Sequence, residues 1–262
     1  MKGQARSGQD SKRNTVAIVT PMLDESLELP RFANVLKNLT PAPDEIILVD
    51  GGSKDGSAEK ARSLGLCVIE PGVTGRAAQI NAGVDATQSD YVCIVHADSE
   101  PPFDCVRLIH TILSDEQVSL GAFKPLICGP DKVRWVSSFH NWIKTWYAPL
   151  FFRPLMFLKG GRLFFGDHVM FFRREDFLRV GGCDATLKVM EDAELSLKFA
   201  RIGRARLVDR VTITSDRRIE KWGGLRANLI YFAVGFTWAI GFRHRFSWLY
   251  PDVRREGKDL ES

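Results

Sequence analysis

The sequence predicts an α/β fold in which a mostly parallel central sheet is flanked by helices and followed by a C-terminal helical extension. Over the first hundred residues, short apolar runs rich in β-branched residues alternate with segments of helical periodicity. Strands of a parallel sheet are buried on both faces, so in the sequence they are continuous apolar runs. Strand–helix alternation of this kind indicates right-handed crossovers within one sheet. The 262 residues, 45% of them hydrophobic, suffice for one large domain of this class.

The first half of the chain divides into four strands and three helices. Residues 29–39 place Leu29, Phe32 and Leu36 at helical spacing, and the next apolar run ends at Asp50 before a glycine-rich turn. By the same criteria we predict strands over 15–23, 45–50, 66–70 and 91–96, and helices over 29–39, 57–64 and 75–86.

The second half is less regular. Its aromatic segment, 132–158, is interrupted by Pro149 and Pro154. The apolar helical region 225–242 falls short of the roughly 30 Å hydrocarbon core of a bilayer at about 1.5 Å per residue. We expect this helix to pack over the aromatic segment, and peripheral membrane contact through 225–245 is the alternative. We also predict helices over 104–113 and 190–202, and strands over 120–125 and 169–172.

Three regions follow from this pattern. Residues 1–14 are polar and basic and predict a disordered tail, 15–222 hold the α/β domain, and 223–262 form the helical extension. The tail lacks the apolar core of a secretory signal, and the five cysteines contain no C-x-x-C pair. We therefore expect a reducing, cytoplasmic location, at the inner face of a membrane if the last helix is interfacial.

Charge is distributed unevenly along the chain. The formal net charge is +4, and residues 201–262 carry 13 Lys and Arg against 7 Asp and Glu. A basic region favours an anionic partner such as a nucleotide diphosphate, a lipid phosphate or a membrane surface. No nucleic-acid-binding motif accompanies the charge, so a nucleic-acid partner is not expected.

Carboxylates follow several predicted strands at the point where each strand ends. Asp24 and Glu25 come directly after the first strand, Asp50 ends the second, and Asp98 follows the fourth. In an open α/β sheet, ligands bind beyond the carboxyl ends of the strands, where the loops gather. Helix capping explains any single Asp at such a position. Their combination predicts a site for a cation and a phosphorylated ligand.

Further charged side chains lie at the ends of other elements. Arg76 opens the helix predicted over 75–86, where a guanidinium and helix N-terminal amides suit a phosphate. Glu191 and Asp192 start another helix, where the macrodipole favours negative charge. The remaining candidates flank two strands: Asp167 and His168 before one, Arg217 and Arg218 after the other.

Two common phosphate-binding signatures are absent from the sequence. The turn after the first strand reads PMLDES, which is neither the glycine fingerprint of a dinucleotide site nor a Walker loop. The turn after the second strand, GGSKDGS, permits close backbone approach by a ligand.

Six segments, taken in order, resemble an inverting family 2 glycosyltransferase of GT-A fold: VAIVTPMLDE, EIILVDGGSKDGS, GRAAQINAG, YVCIVHADS, FGDHVMFFRREDF and MEDAELSLKFARIGR. The resemblance covers residues 16–250. More narrowly, the HADS, FGDH, VGGCD and TSDRRIEKWG segments look like a small bacterial-type subgroup associated with arsenosugar biosynthesis. The resemblance implies a Rossmann-like GT-A domain that transfers one sugar from a nucleotide-diphosphate sugar to a small-molecule or lipid-linked acceptor.

The resemblance also implies roles on the donor side of the site. Asp50 matches the acid that contacts the nucleobase, with Asp24, Glu25 and Arg76 around the base and ribose. We expect Asp50 to lie at a solvent-open rim of this site.

The remaining roles concern the diphosphate and the chemistry. Asp98 matches the last acid of the D-x-D motif, which holds Mg²⁺ or Mn²⁺, and His96 replaces its first acid. Asp192 matches the general base of the E-D motif that Glu191 opens. Arg217 and Arg218 would contact the diphosphate, and Asp167 of the FGDH turn is placed with the substrate-binding residues. The residues leave open whether His96 or His168 contacts ribose or metal.

Two other classes of protein remain as alternatives. A sugar nucleotidyltransferase would use a similar sheet and a cation, but it needs a glycine-rich loop where this chain has PMLDES. A non-catalytic sugar-nucleotide-binding domain would not need Asp98, Glu191 and Asp192 together.

Overall fold

The computed structural model describes residues 13–242, so most of the predicted tail 1–14 and residues 243–262 of the extension lie outside the described part. The elements follow one another in the order β1 (Val16–Met22), α1 (Leu29–Lys37), β2 (Glu45–Asp50), α2 (Ser57–Ser63), β3 (Cys67–Ile69), α3 (Arg76–Ala86), β4 (Tyr91–Ile94), β5 (Ser99–Glu100), α4 (Cys105–Leu113), β6 (Val118–Cys128), α5 (Trp135–Phe152), α6 (Pro154–Leu158), β7 (Met170–Arg173), α7 (Arg174–Arg179), α8 (Glu191–Phe199), β8 (Arg204–Ser215), α9 (Arg217–Trp222) and α10 (Gly224–Ala239).

The strands form one eight-stranded sheet in the order β3-β2-β1-β4-β7-β6-β8-β5. β1 pairs in parallel with β2 and β4, β2 with β3, and β6 with β8. β7 and β5 run antiparallel to their neighbours. The predicted α/β fold with a mostly parallel sheet is therefore confirmed. The carboxyl ends of β1, β4 and β8 meet at one edge of the sheet, which positions the site described below.

Hydrophobic cores cover both faces of the sheet. On one face, Leu29, Phe32 and Leu36 of α1 pack with residues of α4 against β1 and β4. On the other, Ile80 of α3 and Phe199 of α8 pack against the same sheet. Truncation of a buried Phe such as Phe199 to Ala would lower stability by about 3–5 kcal/mol.

The close contact of α3 with the sheet depends on one glycine. Gly83 lies against Val19 and Val49, and a Cβ at this position would overlap the Val19 side chain and approach Val49 Cγ2 to 2.9 Å. Any larger residue would push the helix away from the strands and shift Arg76 at its first turn.

Most predicted elements are present with ends displaced by a few residues. The sequence analysis did not assign helices α5, α6, α7 and α9, and of the 12-residue strand β8 it identified only the end before Arg217. β8 alternates buried and exposed residues where it pairs with β6, and its many charges conceal the apolar periodicity of a strand. The two-residue strand β5 carries no periodicity at all, because its pairing with β8 is a tertiary contact.

The C-terminal helix packs as predicted. α10 buries Ala227, Val234, Trp238 and Ala239, and Phe236 makes an edge-to-face contact with Phe152 of the aromatic segment, with 5.9 Å between ring centroids. Packing over the aromatic segment is therefore confirmed for the described residues. Between residues 13 and 242, no helix combines the length and the apolar character required to cross a bilayer.

Candidate functional site

A cavity of about 460 Å³ lies beyond the carboxyl ends of β1, β4 and β8 and is closed on its far side by α5, α8 and α10. Nine of the residues singled out in the sequence line it: Glu25, Arg76, His96, Asp98, Asp167, Glu191, Asp192, Arg217 and Arg218. Two of them that contact each other, Glu25 and Arg217, lie 192 residues apart in the chain. Asp24 and Asp50 lie outside this lining.

The segment between β4 and β5 carries His96 and Asp98 into the cavity. Because β5 pairs with the last residues of β8, with Ser99 opposite Thr214, the start of α9 lies next to Asp98. Arg217 at this position donates 2.7 and 2.8 Å hydrogen bonds to the two carboxylate oxygens of Glu25. The same guanidinium donates to Asp98 Oδ2 at 2.7 Å. One cation therefore joins the ends of three strands.

This pairing bears on the roles that the resemblance implies for these residues. Arg217 was expected to contact a diphosphate and Glu25 a base or ribose, whereas the two side chains pair with each other. Burial raises the pKa of the Asp98 carboxyl, but Arg217, His96 and Arg218 together outweigh burial and lower this pKa below its ordinary value. Asp98 is thus held ionised at neutral pH.

The donor set around Asp98 fits a divalent cation that a ligand helps to hold. Asp98 Oδ1 makes only a long 3.4 Å contact with the Ser99 hydroxyl, so this oxygen retains capacity for another partner. Among residues 13–242, no three His, Cys, Asp or Glu side chains form a metal-holding group. Mg²⁺ commonly takes one or two carboxylates and completes its shell with water and substrate phosphates, which matches this arrangement.

A second charged group lines the cavity at the start of α8. Arg76, which is predicted to lie around the base and ribose, pairs with Glu191 Oε1 at 2.9 Å and so lies beside the E-D pair. A Cβ on Gly166 would lie 3.0 Å from Asp192 Oδ2, 3.4 Å from Arg76 Nη1 and 3.8 Å from His96 Nε2. A side chain at position 166 would therefore press on the Asp192 carboxylate and contact Arg76 and His96.

The environment of Asp192 favours its protonated form. Burial raises the pKa of Asp192 to about 8, and Glu191 adds to the rise, while Arg76 opposes it. Burial likewise lowers the pKa of His96 to about 3, so its imidazole is neutral at pH 7. A buried carboxyl with a pKa near the working pH suits a group that accepts a proton during a reaction.

The aromatic helix α5 contributes cavity residues that the sequence analysis missed. Asn141 donates a 2.6 Å hydrogen bond to Asp167, and Lys144 places its ammonium 3.7 Å from the centroid of the Phe165 ring. The aromatic pattern of this segment indicates packing, and the polar residues within it, Asn141 and Lys144 among them, are the signal that could have indicated a site. His168 lies outside the cavity lining and contacts the Thr145 hydroxyl at 3.1 Å, so it does not reach a ligand there.

Asp50 does not lie at a solvent-open rim, and that expectation was wrong. Its side chain is 3% exposed, accepts hydrogen bonds from the Gly52 and Ser53 amides at 2.9 Å, and contacts the Ser53 hydroxyl. Asp24 holds the same turn by accepting a bond from the Lys54 amide at 2.7 Å. The glycine-rich turn is short, so a carboxylate at the strand end folds back and satisfies its amides.

Replacement of Asp50 by Ala is therefore expected to destabilise the fold as well as the nucleotide site. Loss of the charged acceptor for two part-buried amides should lower the free energy of unfolding by about 1–3 kcal/mol. Urea denaturation measures this, with Glu59→Ala on the exposed face of α2 as the matched control. An unchanged unfolding midpoint in Asp50→Ala would contradict the structural role.

Solved structures of similar fold include a mannosyltransferase and a glucosyl-3-phosphoglycerate synthase. A mannosyltransferase from Pyrobaculum calidifontis, in complex with GDP-Man and Mn²⁺, superimposes with a TM-score of 0.64 at 18% identity, covering 88% of this chain and 65% of that one. Glucosyl-3-phosphoglycerate synthase from Mycobacterium tuberculosis gives a TM-score of 0.58 at 18% identity, covering 87% and 80%. At these identities the similarity establishes the fold.

Sequence comparisons extend the relationship beyond fold. The chain is 37% identical over 106 residues to the undecaprenyl-phosphate 4-deoxy-4-formamido-L-arabinose transferase of Serratia proteamaculans (strain 568), covering 36% of this chain. The match spans about a third (32%) of the length of that relative. The profile of glycosyl transferase family 2 matches residues 17–181, which include Asp50, Arg76, Asp98 and Asp167. The chain therefore belongs to glycosyl transferase family 2.

Proposed function

We propose that the protein transfers one sugar from a nucleotide-diphosphate sugar to an acceptor hydroxyl, with inversion at the anomeric carbon. The observation that carries this proposal is that Asp192 and the Asp98–Arg217 pair line the same cavity. A general base and a diphosphate-binding group are the two components that an in-line displacement needs.

The donor diphosphate is proposed to lie at Asp98, Arg217 and Arg218. Asp98 would hold Mg²⁺ or Mn²⁺ together with the phosphate oxygens, and the bound cation supplies charge neutralisation to the leaving diphosphate. Arg217 and Arg218 are expected to donate charge-assisted hydrogen bonds to the same phosphates. Because Arg217 is held by Glu25 and Asp98, donor binding requires these ion pairs to rearrange or share the guanidinium.

Asp192 is proposed to act as the general base. The acceptor oxygen forms a bond to the anomeric carbon, the bond from that carbon to the diphosphate breaks, and the hydroxyl proton passes to Asp192. Glu191, held by Arg76, would position the start of α8, and Asp167, held by Asn141, would contact the transferred sugar. The neutral His96 would hydrogen-bond the donor, and Asp24, Glu25 and Asp50 would shape the base and ribose site.

A panel of donors tests the proposal directly. Purified protein is incubated with UDP- and GDP-sugars and Mn²⁺, and release of the nucleoside diphosphate is measured with and without EDTA. We expect release from one donor class and its loss in EDTA. Release of pyrophosphate from a nucleoside triphosphate and a sugar phosphate would identify a nucleotidyltransferase instead.

The acceptor is proposed to be a small molecule or a lipid-linked molecule. The Serratia relative is named for undecaprenyl phosphate, and the Mycobacterium synthase has been solved with phosphoglyceric acid. The association with arsenosugar biosynthesis remains a prediction of the subgroup resemblance. The chain carries residues for both kinds of acceptor, since the cavity contains polar groups and adjoins the apolar helix α10.

Peripheral membrane contact through residues 225–245 is part of the proposal, and a flotation experiment tests it. The protein is expected to float with phosphatidylglycerol vesicles at low salt and less at high salt. Val136→Glu and Leu225→Glu, at side chains 79% and 80% exposed, should abolish flotation without disturbing packing. Leu178→Glu on α7 is the matched control. Membrane contact would be contradicted if all three variants floated equally. It would also be contradicted if the unmodified protein did not float at all.

A further inference from the structure

Within residues 13–242, helices α5, α6 and α10 present an apolar surface, and the charged side chains that these helices carry are positive. Val136, Leu155 and Leu225, one on each helix, are 79%, 76% and 80% exposed. The sequence contains no Asp or Glu from 135 to 166 or from 223 to 251, while Lys144, Arg153, Lys159, Arg162 and Arg226 lie within these stretches. Exposed apolar side chains bordered only by cations suit an anionic amphiphile.

A narrow groove runs between α5 and α10 within this surface. Its walls are formed by aromatic and small residues, chiefly Ala148, Phe152, Phe232, Gly235, Phe236 and Trp238. It adjoins the cavity described above, because both are lined by His140, Lys144, Phe165, Met190 and Tyr231. Met190 directly precedes Glu191 and Asp192, so the inner end of the groove adjoins the proposed base.

Lys144 lies where the groove meets the cavity. Its ammonium stacks on the Phe165 ring, and no carboxylate among residues 13–242 lies within ion-pair distance of it. Burial lowers the pKa of Lys144 to about 8, against the attraction of Asp167, so the amine remains mostly charged at pH 7. A partly buried cation without a close counter-ion is stabilised by a ligand that brings an anion.

We propose that the acceptor is an anionic amphiphile whose hydrocarbon chain lies in the groove between α5 and α10. Its phosphate group lies at Lys144, and its free hydroxyl reaches Asp192 as the nucleophile. This assignment rests on the proposed function of the cavity and narrows its acceptor to one chemical class. A protein helix could cover the same apolar surface, but it would not bring a phosphate to Lys144.

The test measures binding directly, without turnover. Dihexanoylphosphatidylglycerol below its micelle concentration is titrated into the full-length protein by calorimetry, alongside glycerol 3-phosphate and dihexanoylphosphatidylcholine. The anionic lipid is expected to bind at least about tenfold more tightly than either, because only it offers both chain and net negative charge. Equal binding of the two lipids, or of the lipid and glycerol 3-phosphate, would overturn the proposal.

Variants locate the binding site. A Cβ on Gly235 meets no atom within 4 Å, so Gly235→Leu fills the groove without strain and should weaken lipid binding at least about tenfold. Gly224→Leu adds the same side chain outside the groove, and a Cβ there comes no closer than 4.0 Å to Ile219, so this control should bind normally. Lys144→Met should lower the preference for the anionic lipid. Unchanged binding in Gly235→Leu and in the exposed-site variant Phe232→Asn, both folded by circular dichroism, would exclude the groove.

Nucleotide binding distinguishes a failure of the acceptor assignment from a failure of the proposed function. UDP and GDP are titrated with Mn²⁺ into the same preparations. Retained nucleotide binding together with absent lipid binding refutes the acceptor assignment alone. If the unmodified protein binds neither nucleotide, the proposed function on which the assignment rests is refuted.

Discussion

Asp192→Asn is expected to reduce sugar transfer by about 10²-fold or more while leaving the donor bound. The amide keeps the shape of the carboxylate but cannot accept the proton of the acceptor hydroxyl, and loss of a general base has effects of this size. Steady-state kinetics for both substrates, with titration of the nucleotide, measures the two effects separately. The change should appear in kcat with little change in nucleotide affinity.

Glu194→Gln is the matched control for this substitution. Glu194 lies on the same helix and is buried like Asp192, but it is outside the cavity lining. Its variant should retain transfer. If Asp192→Asn instead weakens nucleotide binding and spares transfer, Asp192 is a binding or capping residue.

The raised pKa of Asp192 predicts a pH dependence of both activity and stability. Transfer should rise about tenfold per pH unit up to an apparent pKa near 8, because the base must be ionised. Folded Asp192 titrates near 8 and its ordinary value is 3.8, so its contribution to stability is complete below about pH 4 and is lost as the pH rises to 8. Asp192→Asn should therefore melt at least about 2–4 °C above the unmodified protein at pH 8. A lower melting temperature at that pH would contradict the assigned burial.

Asp98→Asn is expected to abolish turnover and to leave the fold intact. The amide is a poor ligand for a hard cation, so Mn²⁺ and the diphosphate lose their shared anchor. Arg217 retains its two hydrogen bonds to Glu25, which should keep the start of α9 in place. The measurement is turnover as a function of Mn²⁺ concentration, in which excess metal restores activity at best in part.

Glu100→Gln provides the control for Asp98→Asn. Glu100 lies two residues further along, outside the cavity lining, and pairs with Arg31 at 2.8 Å. Its variant should need no more Mn²⁺ than the unmodified protein. Turnover of the unmodified protein that persists unchanged in EDTA would rule out the metal role of Asp98.

The α/β fold and most of its elements could be predicted from sequence because the signals are local. Strand residues 45–50 and the apolar face of α1 are recognisable from periodicity within a few residues. β8 and β5 could not be assigned this way. β8 carries charges along its length, and β5 exists only through pairing with β8.

The candidate site was predictable in composition but not in its contacts. Nine of the eleven proposed residues line one cavity because carboxyl ends of parallel strands gather at one edge of the sheet. The Asp50 side chain is buried because the nearest hydrogen-bond donors are the amides of the glycine-rich turn that follows it. Lys144 and Asn141 were missed because the sequence does not show which face of an aromatic helix will line the cavity. That face is decided only when the helix packs.

By itself, the sequence of this protein determined the α/β class, the strand-end carboxylates and the basic, apolar C-terminal region, since these depend on short-range periodicity and residue type. Only the tertiary structure decided that Arg217 joins Glu25 and Asp98, which lie 192 and 119 residues away along the chain. It also decided that Asp192 is buried beside Glu191, and that α5 and α10 enclose a groove. Distances, burial and the pKa values that follow from them depend on which segments meet, and no local pattern encodes that.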